Sequence, residues 1–290
     1  MSPSPVAFLL LPPLFWASNA IIGRVAAGQI PPITLNFLRW VVALAILLPF
    51  VLIHIKKDWR VARKHWILFA VTGFLGTTCY NALQYLALTT SGPINVALIT
   101  AASPITTLLI GRAFFQAPIS RAAAIGAVVS MFGVAWVLIR GDVGNISSIT
   151  FVAGDLYMLL AGTLWSLYTW LLRGRPQEMS ALSVLTAQVM WGILLAIPMV
   201  LAETIWGHYA PIDWTPAVAG IVLYVAIFPA LLSYLCFQQA VARTGSLLPM
   251  FFVNLTPVFA AIMSVVLLKE FPHLYHVVGL VLIVLGIWLA

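Results

Sequence analysis

The sequence predicts an all-α polytopic membrane protein, ten transmembrane helices arranged as two inverted five-helix repeats. Three observations lead there. Apolar runs of about 20 residues recur along the 290-residue chain, the length a helix needs to cross about 30 Å of hydrocarbon. Only 7% of residues are charged, where a soluble domain carries about a quarter; such a chain cannot clothe itself in a surface suited to water. The second half also echoes the first at a near-constant spacing. The runs are continuous and not alternating over ten residues, which excludes a β-barrel. The net charge of +7 lies mainly between runs, where membrane topology puts cations, so it implies a lipid bilayer as partner and no nucleic acid.

In order, the spans cover 6–27, 33–53, 66–88, 93–113, 120–139, 150–172, 180–201, 216–241, 246–268 and 273–290. MSPSPVAFLL has no basic region ahead of its apolar stretch and reads as a first span, not a cleaved signal. Breaker residues mark the connections: Pro31-Pro32, Ser91-Gly92-Pro93, Arg173 to Pro176, and Thr244-Gly245. With a cytoplasmic amino terminus, the inner connections hold ten Lys and Arg (Lys56, Lys57, Arg60, Arg63, Lys64, Arg112, Arg121, Arg173, Arg175, Arg243). The outer ones hold three, Arg24, Arg140 and Lys269. That bias predicts both termini in the cytoplasm of a bacterial inner membrane. Cys79 and Cys236 lie inside apolar runs and read as small core residues, with no disulfide or metal site.

The repeat places FWASNAIIGRV (15–25) on LWSLYTWLLRG (164–174), pairing Trp16 with Trp165 and Pro49 with Pro198 at an offset of 149. Later the offset is 153: Pro104 pairs with Pro257, Gly126 with Gly279, Gly133 with Gly286. One inserted loop accounts for the change. Five spans is an odd number, so two copies in one chain must cross the bilayer in opposite senses. That is a transporter architecture with its solute site near the midplane. The copies are 6–140 and 150–290.

The segment SGPINVALITAASPITTLLIGRAFF with AAAIGAVVSMFGVAWVL, and its echo TGSLLPMFFVNLTPVFAAIMSVVLLKEFP with VVGLVLIVLGIWL, resemble the EamA domain. LNFLRWVVALAILLPF resembles that family's Arg-bearing second helix through Arg39. The resemblance covers nearly the whole chain and implies the drug/metabolite transporter superfamily, with ten helices around a central cavity. The family's acidic residue after the ninth helix is matched by Glu270; the first copy departs from the pattern with Ala117. Overall the chain is most similar to the aromatic amino-acid exporters of the YddG type.

Candidate site residues follow from polar and aromatic positions inside spans. Thr77, Tyr80, Asn81 and Gln84 fall at i, i+3, i+4 and i+7, one face of a helix. They predict a wall of a solute pocket, with interhelical hydrogen bonding as the alternative. The equivalent stretch carries Ser233, Tyr234 and Gln238. Trp16 and Asn19 in the first span, and Trp165, Tyr168 and Thr169 in the sixth, repeat the spacing. Rings beside amides suit a planar, neutral substrate: an aromatic or large neutral amino acid, or a planar drug. Asn95, Ser103 and Pro104, with Pro249, Asn254 and Pro257, form a further related set, and Pro104 and Pro257 predict kinks or flexion points. The glycine pairs predict close helix packing.

No Asp, Glu or His falls at mid-span: Asp58, Asp142, Asp155, Glu178, Glu203, Asp213 and Glu270 all lie in connections or near span ends. A proton-driven carrier usually has such a residue, so the expectation is solute movement down its own gradient without a buried coupling carboxylate, or coupling by a site not visible in the sequence. Arg39, the lone in-span cation, is assigned to snorkelling toward the outer interface, with contact to a carboxylate solute or Glu270 as the alternative. No cluster of acids, bases or nucleophiles supports a membrane enzyme. No Gly-rich phosphate loop, filter sequence or cofactor motif occurs.

Overall fold

The computed structural model describes residues 5–26, 28–91, 93–144, 151–207, 209–268 and 273–290, and all regular structure among them is helical. Lys269 and Glu270, together with the side chains of Arg24 and Asn95, lie outside the described residues.

Pro5–Ala26 forms α1 and Pro32–Val51 forms α2. Ile55–Lys64 is a separate short helix, α3, where a bare connection was expected. Its buried Asp58 accepts a hydrogen bond from Ser183, which docks the charged helix on the start of a later span. Trp66–Thr72 (α4) runs through a π-helical stretch, Gly73–Cys79, into Tyr80–Thr90 (α5). Pro93–Ala101 (α6) and Ser103–Phe115 (α7) are consecutive helices interrupted at Ala102, and Arg121–Leu138 is α8.

In the second half, Ala153–Leu171 is α9 and Ala181–Trp206 is α10. Pro216–Val225 (α11) passes through a second π-helical stretch, Ala226–Leu232, into Ser233–Thr244 (α12). Leu247–Val253 (α13) and Thr256–Leu268 (α14) are interrupted at Asn254 and Leu255, and Leu274–Leu289 is α15. Starts are set locally. The Ser120, Ser180 and Thr215 hydroxyls accept from the backbone N–H three residues on, and Pro216 follows its cap where a missing N–H costs nothing.

Among the described residues, five helical stretches are long and apolar enough to cross a bilayer: Pro32–Val51, Trp66–Ala87, Arg121–Leu138, Ala181–Trp206 and Pro216–Thr244. Shorter apolar helices accompany them, among them Val6–Asn19 and Leu274–Leu289. Phe50, Ile67, Phe114, Phe132, Leu194 and Val281 are each more than half exposed. A surface of that kind needs hydrocarbon to cover it.

Both π stretches are seven residues long, and the second begins 153 positions after the first. The interruption at Ala102 and that at Leu255 have the same spacing. Pro104 and Pro257 sit in the first turn after each break, so the bend precedes the proline. In a first turn the ring meets no carbonyl of a preceding turn and no N–H is missed. The Asn254 amide caps the Ala101 carbonyl freed at the first break, at 3.2 Å, and also reaches the Ser130 hydroxyl at 2.8 Å.

Helices α8 and α15 pack along their length. A Cβ at Gly126 would lie 2.6 Å from the Gly286 carbonyl oxygen, and one at Gly133 would lie 2.9 Å from that of Gly279. Contact between 126 and 286 and between 133 and 279 means that the two helices run antiparallel, with backbones touching because no side chain stands between them.

Candidate functional site

The centre of the molecule is a cluster of rings. Trp165 on α9 is its hub, buried to 4% exposure. Its ring centroid lies 4.8 Å from Tyr80, 4.9 Å from Tyr168, 5.2 Å from Phe237 and 5.5 Å from both Trp16 and Tyr234. Trp40 on α2 meets Tyr234 edge-on at 4.8 Å. These spacings are those of favourable aromatic pairs, worth about 0.5–1.5 kcal/mol each beyond area burial. The rings pack on one another in the buried core, with Trp165, Tyr168, Tyr234 and Phe237 each at most 4% exposed.

Backbone irregularity supplies the polar partners. A π turn leaves carbonyls without their usual helical donor. The Gly76 carbonyl takes the Tyr234 hydroxyl at 2.6 Å, and the Thr77 carbonyl takes the Asn36 amide at 3.1 Å. In the second π stretch the Pro229 carbonyl takes the Trp16 indole N–H at 3.1 Å. Gly76 and Pro229 are 153 positions apart, and each is held by an aromatic residue from the other half of the chain. Asn81 donates to the Tyr234 oxygen at 3.3 Å. Gln238 donates to Gln188 at 2.6 Å and to the Tyr168 hydroxyl at 3.4 Å, and Gln188 donates to Thr72 at 3.1 Å.

Of the residues singled out in the sequence, Trp16, Tyr80, Asn81, Trp165, Tyr168, Tyr234 and Gln238 come together here. Thr77 and Ser233 do not face the rings. The Thr77 hydroxyl donates to the Gly73 carbonyl at 2.6 Å and its side chain abuts Gly192 on α10. The Ser233 hydroxyl donates to the Phe228 carbonyl at 3.0 Å. The π stretch adds part of a turn, so a face drawn with a 3.6-residue period loses Thr77. Asn19 and Gln84 are half-buried on α1 and α5, and the Asn19 side-chain oxygen has no hydrogen-bond partner.

Four participants were not anticipated: Asn36, Trp40, Gln188 and Phe237. Arg39 was assigned to snorkelling, and the structure corrects this. Its side chain is 1% exposed, with the guanidinium carbon 5.3 Å from the Trp40 ring centroid. The reason is packing: α2 is covered by α10 and the second π stretch, and Asn36, Arg39, Trp40 and Ala43 all point inward. That inward spacing of three and four was the available signal. The Arg39 Nε and Trp40 Nε1 donors have no hydrogen-bond partner. A cation–π contact contributes about 0.5–2 kcal/mol, against several kcal/mol for burying a guanidinium without a paired anion. The ring therefore does not by itself offset the cost of the buried cation.

Asp58, Asp155 and Glu203 are the buried carboxylates among the described residues, and each is hydrogen-bonded. Glu203 accepts from the Ile33 and Thr34 backbone N–H groups at 2.8 and 2.7 Å and from the Thr34 hydroxyl at 2.7 Å, capping α2. Asp155 accepts from Val152 N–H at 2.8 Å and from Ser91. No grouping of three or more potential metal ligands occurs among the described residues. A shallow hollow walled by Leu280, Val281, Val284, Leu285 and Trp288 lies on α15. It offers hardly any polar surface to a solute.

The EamA-like transporter family matches this chain twice, over residues 3–139 and 152–290. The chain belongs to that family; it is a polytopic membrane transporter. Among its relatives is the uncharacterized transporter YyaM of Bacillus subtilis, 25% identical, with 94% of this chain and 89% of the relative covered. An uncharacterized transporter of Archaeoglobus fulgidus is also 25% identical, with 97% and 95% covered. A crystal structure sharing 18% identity superposes with a TM-score of 0.76 over 99% of this chain and 96% of the other, which supports the same fold. Family and relatives are transporters, in keeping with a non-enzymatic role. They name no substrate, and the aromatic amino-acid exporter subtype finds no support in them.

Proposed function

We propose that the protein is a carrier that exports aromatic or large neutral amino acids across the bacterial plasma membrane by alternating access. The observation that carries this reading is the Trp165 cluster, five rings around one indole with the Asn81 and Gln238 amides at its edge. An aromatic side chain inserted there exchanges ring contacts for ring contacts as the site opens.

Residues 6–140 and 150–290 act as two oppositely inserted five-helix repeats, with both termini cytoplasmic. Residues at equivalent positions touch one another in three places: Trp16 with Trp165, Asn81 with Tyr234, and Ala101 with Asn254. Equivalent residues meet only near a two-fold axis. The crossed contacts of Gly126 with Gly286 and Gly133 with Gly279 exchange with each other under the same operation. Motion of one repeat against the other breaks the Tyr234–Gly76 and Trp16–Pro229 ties and parts the rings. The helix-capping bonds of Glu203 and Asp155 support solute movement without a buried coupling acid.

Counterflow in proteoliposomes tests the function. Labelled tryptophan is expected to accumulate against preloaded tryptophan or phenylalanine and much less against serine. Accumulation of some other solute with no competition by tryptophan removes the aromatic assignment and leaves a carrier for another planar metabolite.

A further inference from the structure

Deepening the reading just given, and resting on the ring cluster as the solute site, we propose that Arg39 binds the carboxylate of the transported solute, with the Trp40 indole N–H as second donor. Arg39 begins the third turn of α2, about 10 Å along a helix of 1.5 Å rise per residue. It is inside the span and sealed from the aqueous surface, and its guanidinium lies 5.3 Å from the Trp40 ring centroid, which in turn meets Tyr234 edge-on at 4.8 Å. Among the described residues no carboxylate pairs with it, and its Nε proton is unused. Buried arginine is ordinarily matched by an anion. A solute carboxylate fits: planar, monovalent and able to take two converging N–H donors.

The other unmatched groups around the cluster complete the picture. The Asn36 and Gln238 side-chain oxygens are buried acceptors without a donor. Unused donors at Arg39 and Trp40 and unused acceptors at Asn36 and Gln238 complement the two ends of a zwitterion, with the ring contacts left for its side chain. A planar cation lacking a carboxylate meets an unpaired guanidinium and is disfavoured. Arg39 thus selects the head group, and the Trp165 cluster selects the side chain.

The two selections separate in one experiment on the full-length wild-type protein in proteoliposomes, with competition against labelled tryptophan, or labelled leucine where tryptophan is not transported. Four probes cross ring with head group: indole-3-propionate, tryptamine, 4-methylvalerate and isoamylamine. Both carboxylates are expected to compete about tenfold to a hundredfold better than their matched amines, the range of one hydrogen bond to a charged group. The indole carboxylate is expected to be the stronger of the two. Carboxylates that compete regardless of ring uphold Arg39 and overturn the aromatic reading. Indoles that compete regardless of head group overturn Arg39 and uphold the rings; no competition by any probe overturns both. Arg39→Gln is expected to abolish the carboxylate preference while Arg39→Lys keeps part of it. Retention of the full preference in folded Arg39→Gln protein sinks the assignment.

Discussion

Asn81 and Tyr234, 153 positions apart, share a hydrogen bond of 3.3 Å in the middle of the molecule. The Tyr234 hydroxyl in turn donates a hydrogen bond to the Gly76 carbonyl at 2.6 Å. One phenol thereby joins an amide of one half to a π-turn carbonyl of the same half while its ring is anchored in the other. Tyr234→Phe keeps the ring contacts and removes only the oxygen. It leaves a buried carbonyl and a buried amide without this partner, and a loss of about 1–3 kcal/mol is expected. Thermal unfolding in detergent, read by near-ultraviolet signals, measures it; an unchanged midpoint means that the hydroxyl bridges nothing of consequence.

The crossing of α8 and α15 is set by glycine. Gly126→Ala and Gly286→Ala each put a methyl about 2.6 Å from a carbonyl oxygen, closer than a real Cβ approaches. Each is expected to cost about 1–3 kcal/mol, the range for overpacking. The double variant should cost less than the two singles together, because one separation of the helices relieves both clashes. Gly220→Ala on α11 has nothing within 4 Å of the added carbon. It should be neutral or stabilising by up to about 1 kcal/mol.

The apolar runs were legible as helices, five of them of bilayer length among the described residues, because such a run has one stable outcome in hydrocarbon. Trp16 and Trp165 were legible because the repeat aligned them. What escaped was local or distant. The π stretches break the 3.6-residue period on which the Thr77 to Gln84 face depends, and Thr77 turns to Gly192 as a result. Helix α3 was hidden by its charge, which reads as a solvated connection until Ser183 is seen to hold Asp58. Arg39 was visible as an in-span cation, but burial and snorkelling differ only in what covers α2, and that cover comes from α10 and the second π stretch. The role of Glu203 depends on a partner about 170 positions away.

Glu203 separates a structural carboxylate from a coupling one. It holds two N–H groups and a hydroxyl at the first turn of α2, where a negative charge also meets the positive end of the helix dipole. Glu203→Ala is expected to lower stability by about 2–3 kcal/mol, since bonds to a charged acceptor are the strong ones. Glu203→Gln keeps one acceptor and should fall between. Any folded Glu203→Ala protein should retain tryptophan counterflow with an unchanged dependence on an imposed proton gradient. Normal stability with loss of proton dependence would instead make Glu203 the coupling site.

Inverted insertion makes a prediction for the two faces of the membrane. With five crossings per repeat, as proposed, Arg63, Ser120, Gln177 and Ala290 share one side and Gln29, Asp142 and Asp213 the other. The structure already ties two members of the first set: a Cβ at Gly126, one turn and a half beyond Ser120, would lie 3.5 Å from the Ala290 backbone nitrogen. The excess of Lys and Arg in the first set predicts that this side is the cytoplasm. In a Cys79→Ser, Cys236→Ser background, single cysteines at Gln29 and Asp213 are expected to react with an impermeant maleimide in intact cells. Those at Arg63, Ser120 and Gln177 should react only in inverted vesicles. Labelling of Arg63→Cys and Asp213→Cys from the same side would leave an even number of crossings between them, and the two halves could not then be opposed copies of one unit.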